Sequence, residues 1–169
     1  MRTALLLAAL LLAGPALGAQ AVELSVEGLA RASDAVVRGQ VRRLSTTRSP
    51  DRRRLFTLAE VAVTTSWRGA AAGTVTVLLP GGVDGDLGQR VDGAPTLAEG
   101  EEVVLFLHRA EAGTLRVAGL AQGKFTVAGG LARPDLSRLH FLGSRVERGE
   151  RQAGTMPLDE LEARVRSVR

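Results

Sequence analysis

The chain has 169 residues, of which 45% are hydrophobic and 24% charged, with a formal charge of +4 and no cysteine. Without cysteine there is no disulfide framework, no thiolate metal site and no lipid attachment through a thiol. Aromatic residues make up only 3%, which argues against the stacked platforms that hold single-stranded nucleic acid.

The first element has the form of an export signal. Arg2 supplies a positive start, ALLLAALLLAG an apolar run too short to span a bilayer, and Pro15 a break before the small residues ALGAQA. Ala19 and Ala21 stand at peptidase spacing for a cut before Val22, and cuts after Gly18 or Ala19 fit nearly as well. The expectation is a signal peptide over 1–21 and a single domain over 22–169, periplasmic or secreted, with no stable membrane anchor.

Ser25 is placed to cap a short helix with Val26, Leu29 and Ala30 on one face. From Asp34 the apolar period becomes two. Ala35, Val37, Gly39 and Val41 point one way and Val36, Arg38, Gln40 and Arg42 the other, as in a half-buried strand. STTRSPDRRR then reads as a polar hairpin tip around Pro50 and Asp51. LFTLAEVAVTTSWRG gives a long second strand with Val61, Val63, Thr65 and Trp67 on one face, and TVTVLLP a third with Val75, Val77 and Leu79 inward.

Next comes the glycine-rich stretch GGVDGDLGQRVDG. A phosphate loop would need a following helix, and here a strand follows. A calcium loop would need oxygen ligands at alternate positions, but after Asp84 and Asp86 the next such position is Gly88. The stretch reads as a long, mobile crossover into EEVVLFLH. That segment is apolar on both faces, as expected of a central strand covered on each side. TLRVAG and GKFTVAG alternate again, RLHFLG offers a short last strand, and PLDELEARVRSV forms an amphipathic helix with Leu158, Leu161, Val165 and Val168 on its stripe. The pattern predicts a mainly β protein: a small antiparallel barrel of five or six strands, with a short N-terminal helix and a C-terminal amphipathic helix. Its expected interior is Val37, Val41, Val61, Val63, Val75, Val77, Leu105, Phe106, Leu107, Val117, Phe125 and Val127.

Chemistry-bearing residues are sparse. His108 and His140 lack a third imidazole or thiolate for zinc. Ser144 lacks the setting of an activated nucleophile. The carboxylate pairs Asp84/Asp86, Glu101/Glu102 and Asp159/Glu160 read as loop, strand-edge and helix-start charges. The expectation is therefore no catalytic residue, no metal, no cofactor and no enzyme. Arg42, Arg43, Arg48, Arg52, Arg53 and Arg54 crowd the first hairpin, a possible polyanion contact for acidic polysaccharide, lipopolysaccharide or nucleic acid. The bland reading is a solvated turn, since Lys124 is the only lysine, Asn, Ile and Tyr are absent, and a GC-rich bacterial genome writes positive charge as arginine. No aromatic interleaves these arginines, so no sequence-specific nucleic-acid contact is expected.

The segments ASDAVVRGQVRRL, FTLAEVAVTTSWRG, TVTVLLPGG, GQRVDGAPTLAEGEEVVLFL and LAQGKFTV resemble a family of secreted bacterial proteins common in myxobacteria, to which no activity is attached. More distantly, SDAVVRGQV, SWRG and GEEVVLFL resemble the OB-fold barrel of netrin modules and tissue inhibitors of metalloproteinases. The resemblance implies an OB-like barrel and, as first partner, a secreted protease such as a zinc metalloprotease. It does not carry over the inhibitors' zinc-chelating amino-terminal cysteine, which is missing here. Contact would then come from the glycine-rich loop, with Gly82, Asp84, Asp86, Gln89 and Arg90 as the possible partner-contact residues. The expected function is a secreted, non-catalytic binding or accessory module for a protease or envelope component. The alternatives are polyanion binding through the arginine hairpin and an unrecognised small hydrolase or metalloenzyme.

Overall fold

The structure of the protein, a computed structural model, describes residues 18–69, 71–110 and 114–168. Most of the expected signal peptide lies outside the described residues. In chain order the elements are β1 (Ala19–Glu23), α1 (Val26–Arg31), β2 (Ala35–Arg48), β3 (Leu55–Arg68), β4 (Thr74–Pro80), β5 (Gly82–Asp84), β6 (Leu87–Gln89), β7 (Glu102–Arg109) and β8 (Leu115–Val117). A 3₁₀ turn (Leu120–Gly123) leads to β9 (Lys124–Ala128), β10 (Leu131–Pro134), β11 (Leu139–Ser144), β12 (Met156–Pro157) and α2 (Leu158–Ser167). Among the described residues no helix is long and apolar enough to cross a membrane.

Five strands close into a barrel in the order β2, β3, β4, β8, β7 and back to β2. All neighbours run antiparallel except β4 and β8, which meet in parallel through Val77 and Leu115. Beyond β7 the sheet continues through β9, β10 and β12. The closed, mainly β architecture with a helix near each end is as the sequence pattern predicts.

Closure depends on how β2 and β3 bend. Their register shifts three times, between Val36 and Val37, between Arg38 and Gly39, and between Val41 and Arg43. Each extra residue bends its strand and tightens the local twist, which curls a flat ribbon into a barrel wall. Gly39 sits at one of these bends. A Cβ there would run into the Ala62 carbonyl oxygen. The bulges also explain one departure from the sequence reading. Trp67 does not share a face with Val61, because the shift between Arg38 and Gly39 passes over Thr64 and reverses the alternation beyond it.

The apolar residues divide into two layers. Val37, Val41, Val61, Val77, Leu79, Val103, Leu105 and Leu107 fill the barrel, with Val63, Val75 and Val117 half-buried against them. Val36, Trp67, Val104, Phe106, Phe125 and Val127 lie on the outer face, under α1, α2 and Met156. β7 supplies both layers alternately, so its unbroken apolar run has a physical reason. Phe106 and Phe125 meet at 5.8 Å between ring centres, tilted by 47°.

The helices are fixed by polar contacts as well as by packing. The Ser25 hydroxyl accepts from the Gly28 amide at 2.8 Å and donates to Glu150 at 2.5 Å. Glu150 also accepts from Arg31 at 2.6 Å and from the Glu147 amide at 3.0 Å. Glu27 on α1 accepts from Arg164 on α2 at 2.9 Å, joining the two helices. α2 buries Leu161 and Val165, with Leu158 and Val168 packed at its margins.

β1 pairs in parallel with β11, from Ala19 opposite Leu139 to Glu23 opposite Ser144. RLHFLG thus does form a strand, but it joins this two-stranded sheet and not the barrel. The buried Gln122 side chain accepts from the Leu24 amide at 2.8 Å and donates to the Val22 carbonyl at 3.1 Å, locking the segment in place. The expected boundary between residues 21 and 22 therefore falls inside a paired strand.

Candidate functional site

The tip of the β2–β3 hairpin is a tightly bonded turn. Ser49 N–H donates to the Arg54 carbonyl at 2.9 Å, and Arg52 N–H donates to the Ser49 carbonyl at 2.8 Å. The Ser49 hydroxyl accepts from Arg54 N–H at 3.0 Å and donates to Asp51 at 2.5 Å. That bond and one from the Arg53 amide hold the Asp51 carboxyl below its ordinary value. Arg52 adopts a positive φ of 58°, which turns the chain between the strands. The result is a pre-formed turn carrying three consecutive exposed arginines.

Arg42 and Arg43 lie lower on β2, at the bulge after Val41, and both are exposed. Arg48 differs from the other five. It forms a salt bridge with Asp84 at 2.6 Å, the only one made by these six arginines among the described residues.

Beside the turn lies an open concavity of about 660 Å³, lined by the Thr47–Asp51 segment, Arg54, Phe56, Leu78, Thr114 and Arg116. Phe56 follows the arginine run on β3, and the Arg116 guanidinium from β8 lies 5.9 Å from its ring centre. The contact is a cation–π pair, a type worth about 0.5–1 kcal/mol at an exposed site. Arg48, Arg54 and Arg116 thus line one concavity together with Phe56. The sequence reading missed Arg116, because nothing in the linear order brings β8 beside the first hairpin.

The glycine-rich stretch is more structured than a bare crossover. Gly82–Asp84 and Leu87–Gln89 pair as a small hairpin, with Asp86 exposed in its turn. Its inner side faces the tip half of the first hairpin. A Cβ on Gly82 would touch Thr57 and Thr46, the Gln89 side-chain oxygen accepts from the Leu55 amide at 2.5 Å, and Gly81 N–H donates to the Leu55 carbonyl at 2.8 Å. Of the five expected contact residues, Gly82, Asp84 and Gln89 contact the protein's own first hairpin, Asp86 is exposed in the turn, and Arg90 is exposed just beyond the hairpin. Val83 and Leu87 are the exposed apolar residues of this hairpin, at 67% and 52%.

The remaining candidates are dispersed. Glu102 is paired with Arg38 at 2.6 Å. Glu101 lies beneath the excursion, bound to Lys124 and accepting from Thr126 at 2.6 Å. Burial pushes its carboxyl up, but the hydrogen bonds from Lys124 and Thr126 outweigh that and hold it below its ordinary value. Asp159 accepts from the Glu160 amide at 2.8 Å, Glu160 pairs with Arg164 at 3.0 Å, and the Ser144 hydroxyl accepts from the Val146 amide at 3.2 Å. His108 stands on β7 and His140 on β11, in different sheets.

Comparison with family models, curated proteins and solved structures gives no match.

Proposed function

We propose that the protein is an exported, non-catalytic binding module whose ligand is an acidic polysaccharide. The observation that carries this reading is that Arg48, Arg54 and Arg116 line one open concavity with Phe56, whose ring Arg116 contacts. Guanidinium forks match carboxylate and sulfate oxygens two bonds at a time, and Phe56 offers an apolar face to a sugar ring. Arg52 and Arg53 extend the positive surface beyond the concavity and draw in a polymer by charge. One ring cannot stack successive bases, so an acidic glycan suits this surface better than a single nucleic-acid strand.

The ring order of the barrel supports an OB-like reading, in agreement with the resemblance to netrin modules. In that barrel type oligosaccharides and oligonucleotides bind across the second and third strands, between the first hairpin loop and the loop joining the last two strands. The corresponding surface here is β3 and β4, between the Ser49–Arg54 turn and Thr114, just before β8. This is analogy at the level of fold, and the named side chains carry the rest.

Export is part of the same reading. A cut after Gly18 leaves β1 whole, whereas a cut before Val22 removes Ala19–Ala21 and with them the pairing to Leu139–Phe141. We therefore place the mature amino terminus at Ala19.

The test is retention on immobilised heparin over a salt gradient. Wild-type protein is expected to bind and elute with salt, and Arg52→Glu, Arg53→Glu and Arg54→Glu together should abolish retention while far-UV dichroism stays unchanged. Phe56→Ala should lower the eluting salt by a smaller step. Unchanged retention of the triple variant would refute the proposal.

A second reading, contact with a secreted protease, is favoured by the exposed Val83 and Leu87 on the β5–β6 hairpin. Co-purification from the native host separates the two. A protease lost on Val83→Ser and Leu87→Ser supports contact through this hairpin, and recovery of envelope glycan alone removes that reading.

A further inference from the structure

A second concavity lies away from the Phe56 face. Between the end of the glycine-rich excursion and the turn joining β10 to β11 are two adjoining hollows of about 330 and 230 Å³. They share Arg90, Ala94, Pro95, Thr96 and Arg138, so the two arginines border both. Ligand pockets start at roughly 300 Å³, which suits one sugar ring and not a threaded polymer.

Most polar groups around this cleft are already committed. Lys124 forms part of the inner wall, 7% exposed, and is bound to Glu101 and Thr126. The Asp135 carboxylate accepts from the Ser137 hydroxyl at 2.6 Å and the Ser137 amide at 3.1 Å. Thr57 donates to the Gly81 carbonyl at 2.9 Å, and Gln89 is spent on Leu55. By contrast, Arg90 and Arg138 make no salt bridge or side-chain hydrogen bond among the described residues. Two uncommitted guanidiniums therefore border a hollow whose other walls are largely apolar.

The hollow also keeps its shape for local reasons. The Gly93 carbonyl accepts from the Ala121 amide at 3.0 Å, fixing the excursion onto the 3₁₀ turn. Gly93 has φ of 73°, and a Cβ there would press on Ala19 and Leu139. The wall beside Arg90 is thus tied to both β1 and β11.

We propose that this cleft binds the anionic group of a single acidic sugar, a uronate carboxylate or a sugar sulfate, between Arg90 and Arg138. Pro95 and Ala94 border the ring, and Thr96 offers a hydroxyl to it. The proposal rests on the reading of the protein as an acidic-glycan binder. It adds a discrete subsite for one sugar unit, distinct from the charge-driven surface around Phe56.

The experiment follows amide chemical shifts while titrating the full domain with glucuronate, glucose 6-sulfate and glucose. Glucuronate or glucose 6-sulfate should shift signals at residues 90–97 and 135–138, and glucose should not. The stronger of the two anions identifies the source of the group. Arg90→Ala with Arg138→Ala should weaken the anion by about tenfold or more, as expected for lost charge-assisted bonds. Heparin retention through the Arg52–Arg54 turn should persist in the same variant. Equal shifts with glucose, no shifts with either anion, or unchanged affinity in the double variant would overturn the cleft proposal. If the anions bind here but heparin is not retained through the turn, the Phe56 reading fails and the cleft stands.

Discussion

Arg48 on the first hairpin donates to Asp84 on the glycine-rich hairpin at 2.6 Å, so the most basic and the most acidic turns of this surface are tied together. Both side chains are substantially exposed, at 40% and 46%. An ion pair in that position adds little stability, typically below about 1 kcal/mol. Its larger effect is on the surface, because Asp84 occupies a guanidinium that borders the Phe56 concavity. Asp84→Ala is therefore expected to leave the melting temperature almost unchanged and to raise the salt needed to elute the protein from heparin. An eluting salt equal to or lower than wild type would contradict that role.

The barrel wall makes two graded predictions. Leu105 is fully buried between β2 and β9, so Leu105→Ala should cost about 2–5 kcal/mol. Leu105→Asp should abolish the cooperative melt, against a typical total stability of roughly 5–15 kcal/mol. Val63 is only half-buried, and Val63→Asp should weaken the fold without eliminating it. Urea denaturation of the three variants gives the order, and a milder effect for Leu105→Asp than for Val63→Asp would show that the register is wrong.

Glycine at position 39 should prove indispensable for a different reason. Gly39→Ala adds a methyl group against the Ala62 carbonyl and forces the β2–β3 pair to separate at a bulge. Overpacking of this kind costs roughly 1–3 kcal/mol. A wild-type melting temperature would mean that the strands can part there freely.

Stability should also fall in acid. The Ser25 hydroxyl, the Glu147 amide and Arg31 together hold the Glu150 carboxyl down at about 2, against an ordinary 4.5. A depressed folded-state value stabilises the protein above the unfolded value, and that contribution is lost as pH falls from about 4.5 towards about 2. Thermal melts across this window should show a steeper decline for wild type than for Glu150→Gln. Parallel curves would place the acid sensitivity elsewhere.

On the proposed export, protein recovered from the native host should have the intact mass of a chain beginning at Ala19. A chain beginning at Val22 would lack the paired residues Ala19–Ala21 and would refute the placement.

The barrel was legible in the sequence because its strands are long and regularly patterned. β7 announced its central place through apolar residues on both faces, and the two layers it serves supply the reason. Short elements held by distant partners were not legible. The three-residue strands β5 and β6 each carry a glycine and flank Gly85 and Asp86, a composition that on local evidence marks a loop. Ala19–Ala21 satisfy a peptidase motif and a strand equally well, because small residues suit both. Trp67 was assigned to the wrong face because strict alternation cannot register a bulge. At the candidate sites the first-hairpin arginines were visible as a cluster. Arg116 and Arg138 were not, since each reaches its cavity from a strand or turn remote in sequence.

The parallel pairing of Ala19–Glu23 with Leu139–Ser144 joins a segment that precedes the barrel to one that follows it, as a clasp. Translation delivers the first of these strands long before its partner, and the barrel strands lie between them. Closing so large a loop is entropically unfavourable until the barrel has drawn the ends together. The clasp is therefore expected to shut last and to open first. Hydrogen exchange at Gln20–Val22 should outrun exchange in β7, and a protease given brief access should nick the two clasp segments before the barrel.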